Sequence, residues 1–339
     1  AVKNGSLDIS MLDTAVGRIL SLIFDADEKR EKKYRYDTEA HHALARKAAS
    51  QSAVLLKNED NILPLKKDIK IAVIGAFART PRYQGNGSSL VNPTKMDNAF
   101  DAFIARGMDI TYSPGYPMIS DQPDPKLIEE AVQAAGTADV AVIFAGLPKE
   151  YESEGFDRIH MDMPQSHNDL ITAVANTNAN TVVLLQNGAP ITMPWIEDVK
   201  AVLECSLAGQ AGGPAAVDVL MGDVNPSGKL AETFPLRLSD TPCCRYFPEG
   251  PRTVEHRESI YVGYRYYEKF HKDVLFPFGH GLSYTQFVYK DIKLSADHIK
   301  DDETLDVTVT IENTGDVTGT EIIEIYVRDD ESTIFRPEK

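Results

Sequence analysis

Between residues 149 and 165 the chain gathers Glu150, Glu152, Glu154, Asp157 and Asp162 around one glycine, one phenylalanine and one arginine. A carboxyl group does acid/base work near neutral pH only where its surroundings raise its pKa. Like charges and an apolar ring act in that direction, and Phe156 sits among the acids. Gly155 permits close backbone approach, and Arg158 can hold Asp157 in a charge-assisted pair. Acidic loops are also common as solvated surface, so the residue types alone leave both readings open. Under the catalytic reading, one carboxylate of Glu152–Arg158 is the acid/base, and its nucleophilic partner lies outside this chain.

A second polar loop, Gln84-Gly85-Asn86-Gly87-Ser88-Ser89, invites comparison with a phosphate cradle. It lacks the Gly-Lys-Ser/Thr ending, and no Gly-x-Gly-x-x-Gly follows the first strand. Its amides and hydroxyls suit sugar hydroxyls better, beside the plain reading of a strand-end turn. No Gly-x-Ser-x-Gly elbow marks a nucleophilic serine. His280, between two glycines, reads as a loop hydrogen-bonder, and Trp195 as core packing. Cys205, Cys243 and Cys244 are odd in number, two of them adjacent, which suits neither a disulfide framework nor a zinc site. They favour a reducing, cytoplasmic setting. The abrupt start at Ala1, with a helix already under way, leaves an upstream segment and export open. The 51 acidic against 35 basic residues give a net charge of −16. That argues against nucleic acid or an anionic membrane as partner, since both want clustered Lys and Arg. A neutral polyol is not repelled. No apolar run reaches the roughly 20 residues of a membrane span.

These loops need elements to hold them. Leu7, Ile9, Leu12, Val16, Ile19, Leu20 and Ile23 have helical spacing, with Asp8 or Ser10 as N-cap. The charged stretch Asp25–Tyr36 reads as a solvated linker. A second helix over about 38–53 feeds Val54–Asn58. A β/α alternation follows, with strands at Ile69–Ile74, Met108–Tyr112, Val140–Ala145, Thr181–Gln186 and Ala201–Cys205. Helices near 95–106, 125–136, 164–177 and 211–221 lie between them. Near-continuous apolar strands separated by helices predict an α/β fold with a mostly parallel sheet sandwiched between helices. Its loops at Gly75–Ser89, Gly146–Pro164, Asn187-Gly188 and Leu207–Gly213 converge on the carboxyl edge, where such sheets work. Residues 231–258 are Pro-rich and irregular. From about 286 the period becomes two, with strands at Asp306–Ile311 and Glu321–Val327. That predicts a truncated antiparallel β-sandwich segment, short of the roughly 100 residues of such a domain.

Several longer motifs, in order, resemble the C-terminal part of a glycoside hydrolase family 3 β-glucosidase. They are Val54–Asn58 with Leu63-Pro64-Leu65, Gly85–Ser89 with Val91-Asn92-Pro93, Glu154-Gly155-Phe156-Asp157-Arg158, Gly188-Ala189-Pro190 with Pro194-Trp195, Gly222–Leu230, Tyr261–Tyr267 and Phe276–Tyr284. The resemblance implies four parts: 1–25 as the last helix of a (β/α)₈ barrel, 26–37 as linker, 38–285 as the α/β sandwich domain, and 286–339 as part of a fibronectin type III-like domain. It further implies a retaining, exo-acting β-glycosidase that needs no metal or organic cofactor. The nucleophile would be an aspartate of the barrel, and the acid/base would be Glu154, with Glu152 its nearest rival. Gly85, Asn86, Ser88 and Phe156 become candidate substrate contacts, and Asp157 with Arg158 loop support. The implied partners are a β-glucoside or oligosaccharide and the barrel; a homo-oligomer stays open. Glucose leads at the cleaved end, with xylose and N-acetylglucosamine behind it. The chain departs from the pattern at His256-Arg257-Glu258-Ser259, where similar proteins often read Tyr-x-Glu-Gly, and carries neither the barrel motif nor an insertion over 90–150. Two other classes remain: a sugar- or protein-binding module without chemistry, and a flavodoxin-like nucleotide binder, which the missing phosphate loop disfavours.

Overall fold

Short runs of Val, Ile, Leu and Ala become strands here because a strand covered on both faces has no polar side to present. A computed structural model describes residues 1–31, 33–247 and 252–337. Lys32 of the charged stretch, positions 248–251 of the irregular stretch and positions 338–339 of the tail lie outside the described residues. The chain divides into two compact units, Ala1–Ala40 and His41–Lys339.

In the first unit, α1 (Ile9–Glu28) starts at Asp8, whose side chain accepts from Ser10 N–H at 2.8 Å. It runs on to Glu28, into the stretch read as linker, because Ala26, Asp27 and Glu28 contain no helix breaker. None of its residues is buried; Leu12, Val16, Ile19, Leu20 and Ile23 all lie exposed.

Next come α2 (Thr38–Ser52), β1 (Val54–Asn58), β2 (Lys70–Ile74), α3 (Ala99–Ala105), β3 (Asp109–Ser113), α4 (Pro125–Gly136), β4 (Val140–Gly146), α5 (Gln165–Ala175), β5 (Thr181–Gln186), β6 (Ala201–Glu204) and α6 (Gly212–Leu220). The sheet order is β1-β6-β5-β4-β2-β3. The five strands expected from the sequence are all present and mutually parallel. The sixth, β1, pairs antiparallel with β6 and places Leu55 opposite Leu203. Its sequence carried no strand expectation, because five residues directly after a helix display no period of their own.

Every residue of β4, β5 and β6 is buried, so the core runs through the centre of this sheet. α4 packs on α5, and α3 on α6. Asp218 of α6 takes paired hydrogen bonds from Arg46 of α2 at 2.6 Å and another from Arg106 at the end of α3. The order of connection decides where a site can form. From β2 the chain moves outward to β3, then crosses back over β2 to β4 and continues to β5 and β6. Direction therefore reverses between β2 and β4, and a crevice opens beyond the carboxyl ends of that pair.

Beyond residue 222 come β7 (Phe234–Pro235), α7 (Tyr264–Lys269) and β8 (Val274–Phe276), with β7 and β8 paired antiparallel. The tail forms β9 (Phe287–Leu294) against β10 (Val307–Asn313). β10 meets the expected strand at 306–311, whereas Glu321–Val327 forms none. An alternating run becomes a strand only where a neighbour takes its N–H and C=O groups. β10 finds that neighbour in β9, and Glu321–Val327 pairs with no strand among the described residues.

Candidate active site

Two glycines let the chain turn off the sheet at the crevice. Gly75, after β2, has φ +107°, and a Cβ there would fall against the carbonyl of Phe144. Gly146, ending β4, has φ +145°, and a Cβ there would fall against the backbone of Gln186. Between them Tyr116 is fully buried; its hydroxyl donates to Phe144 O at 2.8 Å and accepts from Phe77 N–H at 3.1 Å. Its ring lies 3.8 Å from that of His167, whose burial holds the imidazole neutral, with a pKa down to about 3. The floor of the crevice is thus buried and hydrogen-bonded, and the loops after β2 and β4 rise from it side by side.

The loop after β2 closes on itself through Gln84, whose amide donates to Val91 O at 2.9 Å and accepts from Val91 N–H at 3.0 Å. Gly85 and Asn86 help to line a cleft of about 340 Å³, together with Phe77, Leu90, Ile119 and Pro148. Ser88 does something different: its N–H donates to Glu154 Oε2 at 2.7 Å. Gly87 stands close enough that a Cβ there would sit 2.8 Å from Glu154 Cβ. The two loops singled out in the sequence therefore meet at Glu154. Phe156 is 49% exposed and does not line the cleft.

The acidic loop holds two carboxylates in opposite settings. Glu154 is exposed, and hydrogen bonding from Ser88 holds its carboxyl below the usual glutamate range. Glu152 is half-buried. Both its oxygens accept from Gly188 N–H, at 2.9 and 3.0 Å. Burial pushes its pKa up, while the Gly188 hydrogen bond and the charges of Arg158 and Arg82 pull the other way. Beneath them Glu204 is fully buried, bonded to Asn187 Nδ2 at 3.0 Å and Ser206 N–H at 2.7 Å, and burial raises its pKa to about 8.

Three expectations change. The sequence suggested that like charges and Phe156 would raise the pKa of one carboxyl in this loop; Glu154 instead lies in open solvent against a donor, which favours the charged form. Gly155 makes no close approach, since a Cβ there would meet nothing within 4 Å. Arg158 does not brace Asp157. It donates to Pro190 O at 3.1 Å and senses the charge of Glu152 first, then that of Asp162. Asp157 is exposed, whereas the half-buried guanidinium follows the half-buried acid. His280 and Trp195 behave as expected: His280 bonds Leu56 O at 2.8 Å, and Trp195, 1% exposed, donates to Asn168. The cysteines are free thiols. Among the described residues no cluster of acids, histidines and cysteines could hold a metal ion, and no helix is long and apolar enough to cross a membrane.

The residues that sequence reasoning missed are Arg82, Gly188 and Glu204. Gly188 and Glu204 sit at the ends of β5 and β6, so the convergence of strand-end loops pointed to both, and the Gly188-Ala189-Pro190 motif to Gly188 as well. Their partners are 36 and 17 positions away in the chain.

Comparison with known proteins gives the arrangement a context. Residues 53–284 match the model of the glycosyl hydrolase family 3 C-terminal domain. Thermostable beta-glucosidase B of Acetivibrio thermocellus is 52% identical over all of this chain and 45% of its own length. An exo-alpha-(1->6)-L-arabinopyranosidase of Bifidobacterium longum is 41% identical over 99% of this chain and 46% of its own. A solved GH3 beta-glucosidase of Bifidobacterium adolescentis superposes with a TM-score of 0.95 at 42% identity, over all of this chain and 50% of that one. The chain spans about half the length of the curated relatives it matches.

Proposed function

Because the chain belongs to glycosyl hydrolase family 3, with the family's C-terminal domain at residues 53–284, we propose that it is the acid/base-bearing part of a retaining, exo-acting β-glucosidase. Glu154 is the acid/base. The observation that carries this reading is the placement of its carboxyl: exposed, on a loop beside the β2/β4 crevice, and held there by hydrogen bonding from Ser88.

The nucleophile is an aspartate of a (β/α)₈ barrel in the same protein. The unburied apolar residues of α1 are what the last helix of such a barrel would carry, and 286–339 is the beginning of a fibronectin type III-like domain. In the first step Glu154 gives its proton to the glycosidic oxygen as the aspartate attacks the anomeric carbon, and the aglycone leaves as an alcohol. In the second, Glu154 takes a proton from water, which displaces the aspartate and releases the sugar with its configuration retained. The two carboxyls stand about 5–5.5 Å apart in such enzymes. Glu154 must be protonated to begin. A covering barrel would exclude water and bring a second negative charge, and both raise its pKa from the low value it has when exposed. The cleft beside Gly85 and Asn86 lies on the leaving-group side and takes the aglycone.

The sugar at the cleaved end is chosen mainly outside this chain. A beta-glucosidase and an exo-alpha-(1->6)-L-arabinopyranosidase both match it over 99% or more of its length. Glucose leads on the identity of the first.

In the full-length protein, Glu154→Gln should lower turnover of cellobiose by about 10²–10⁴-fold. Equal turnover of cellobiose by wild type and variant would overturn the assignment. Residues 1–339 alone should not release 4-nitrophenol from 4-nitrophenyl β-glucoside.

A further inference from the structure

We propose that Glu152 is a positioning residue: it fixes where Glu154 stands by fastening the acidic loop to the carboxyl end of β5. The proposal rests on the acid/base reading of Glu154 and adds to it the device that aims the acid.

The fastening has two points, one on each side of the tip. Before the tip, Glu152 receives Gly188 N–H on both oxygens. After it, Arg158 Nη1 donates to Pro190 O at 3.1 Å. Residues 153–157 therefore span two anchors on one short turn, 188–190. The turn is fixed from below, where Asn187 Nδ2 binds both Ala189 O and Glu204 Oε2 at 3.0 Å. The loop after β2 joins the same fixture, since Arg82 N–H donates to Gln186 Oε1 at 2.7 Å and Arg82 Nη2 to Glu152 O at 3.3 Å. The bracket that holds Glu152 thus also holds the loop that supplies Ser88 to Glu154. Space is closed around the fastening: a Cβ at Gly188 would stand 3.2 Å from Glu152 Oε1 and 3.1 Å from Leu207. With both oxygens on Gly188 N–H and the charges of Arg158 and Arg82 acting on it, Glu152 is engaged as an anchor, whereas Glu154 stands exposed.

An acid must reach the glycosidic oxygen within hydrogen-bond distance, and a displacement of about 1 Å costs on the order of 10²-fold. Loss of the anchor should therefore appear as loss of proton donation. The test measures kcat/KM, which reports cleavage, across glucosides of graded leaving-group pKa in the full-length enzyme. Glu152→Ala should lower it about 10–100-fold for cellobiose and alkyl β-glucosides. For 2,4-dinitrophenyl β-glucoside, which departs without a proton, the loss should stay below about threefold. Glu152→Gln keeps an oxygen for Gly188 N–H and should restore most of the activity. Glu152→Asp, one methylene too short for the same grip, should steepen the leaving-group dependence even if the alanine variant fails to fold.

Equal losses on all leaving groups would mean that Glu152 only stabilises the fold, and would overturn the proposal. So would Glu152→Gln proving as damaging as Glu152→Ala, because the Gly188 hydrogen bond would then not be what positions the loop. Glu154→Gln, run in parallel, separates the two claims. If it leaves the leaving-group dependence unchanged, the acid/base reading fails. If it steepens the dependence while Glu152→Ala and Glu152→Asp do not, the positioning role alone fails.

Discussion

The acidic loop has a stem and a tip, and the fold treats them differently. At the stem, Glu152 and Arg158 are half-buried and bonded to the turn after β5. At the tip, Glu154, Gly155, Phe156 and Asp157 are exposed, and hydrogen bonding from Ser88 to Glu154 ties the tip to the neighbouring loop. Two glutamates two positions apart thus have pKa values moved in opposite directions. A group that must meet a substrate has to be left accessible, so its position is set by neighbours that are not. Stability and chemistry in this loop belong to different residues, and substitutions can separate them.

The largest effect on stability is expected where the stem leaves the sheet. Gly146→Ala forces a Cβ against the Gln186 backbone at a φ of +145°. It should cost about 3–5 kcal/mol in denaturant unfolding. A change below 1 kcal/mol would show that β4 and β5 can part without penalty.

A smaller effect concerns the support under the stem. Burial raises Glu204 to about 8 from 4.5, so the folded protein keeps a proton that the unfolded chain releases in between. The stability from this site is full below about pH 4.5 and is lost as pH rises through about 8. Glu204→Gln does not titrate. Relative to wild type it should gain on the order of 3 kcal/mol between pH 5 and pH 8, read by urea unfolding at both. A difference independent of pH would mean that Glu204 is already ionised.

The smallest effect belongs to the tip. Gly155→Ala meets nothing within 4 Å, and should change stability by less than about 0.5 kcal/mol. A cost like that of Gly146→Ala would erase the distinction between stem and tip.

How legible this was in the sequence follows the range of the interactions. The five parallel strands could be read because each is a local apolar run, and their loops fell on one edge because parallel strands share a direction. The edge strand β1 and the pairing of β9 with β10 could not be read, because both depend on which segment lies alongside. In the site, Glu154 and the Gly85–Ser89 loop stood out by motif. That Ser88 touches Glu154, 66 positions away, is a fact of the fold. The expected Asp157–Arg158 pair misled for the converse reason. Adjacency in sequence suggested a partner, while Arg158 reached 32 positions to Pro190. Burial, which raises Glu204 and leaves Glu154 low, is likewise absent from any local pattern.

The central claim is that Glu154, and not Glu152, exchanges the proton. It is tested most directly by chemical rescue of the full-length enzyme with 2,4-dinitrophenyl β-glucoside as substrate. This aglycone leaves unprotonated, so Glu154→Ala should accumulate the glycosyl-enzyme and wait for water without its base. Azide, which needs no base, should then attack the anomeric carbon, speed turnover and yield β-glucosyl azide. Strong rescue with that product in Glu154→Ala, and at most weak rescue in Glu152→Ala, is the predicted result. Rescue in Glu152→Ala with none in Glu154→Ala would contradict the account.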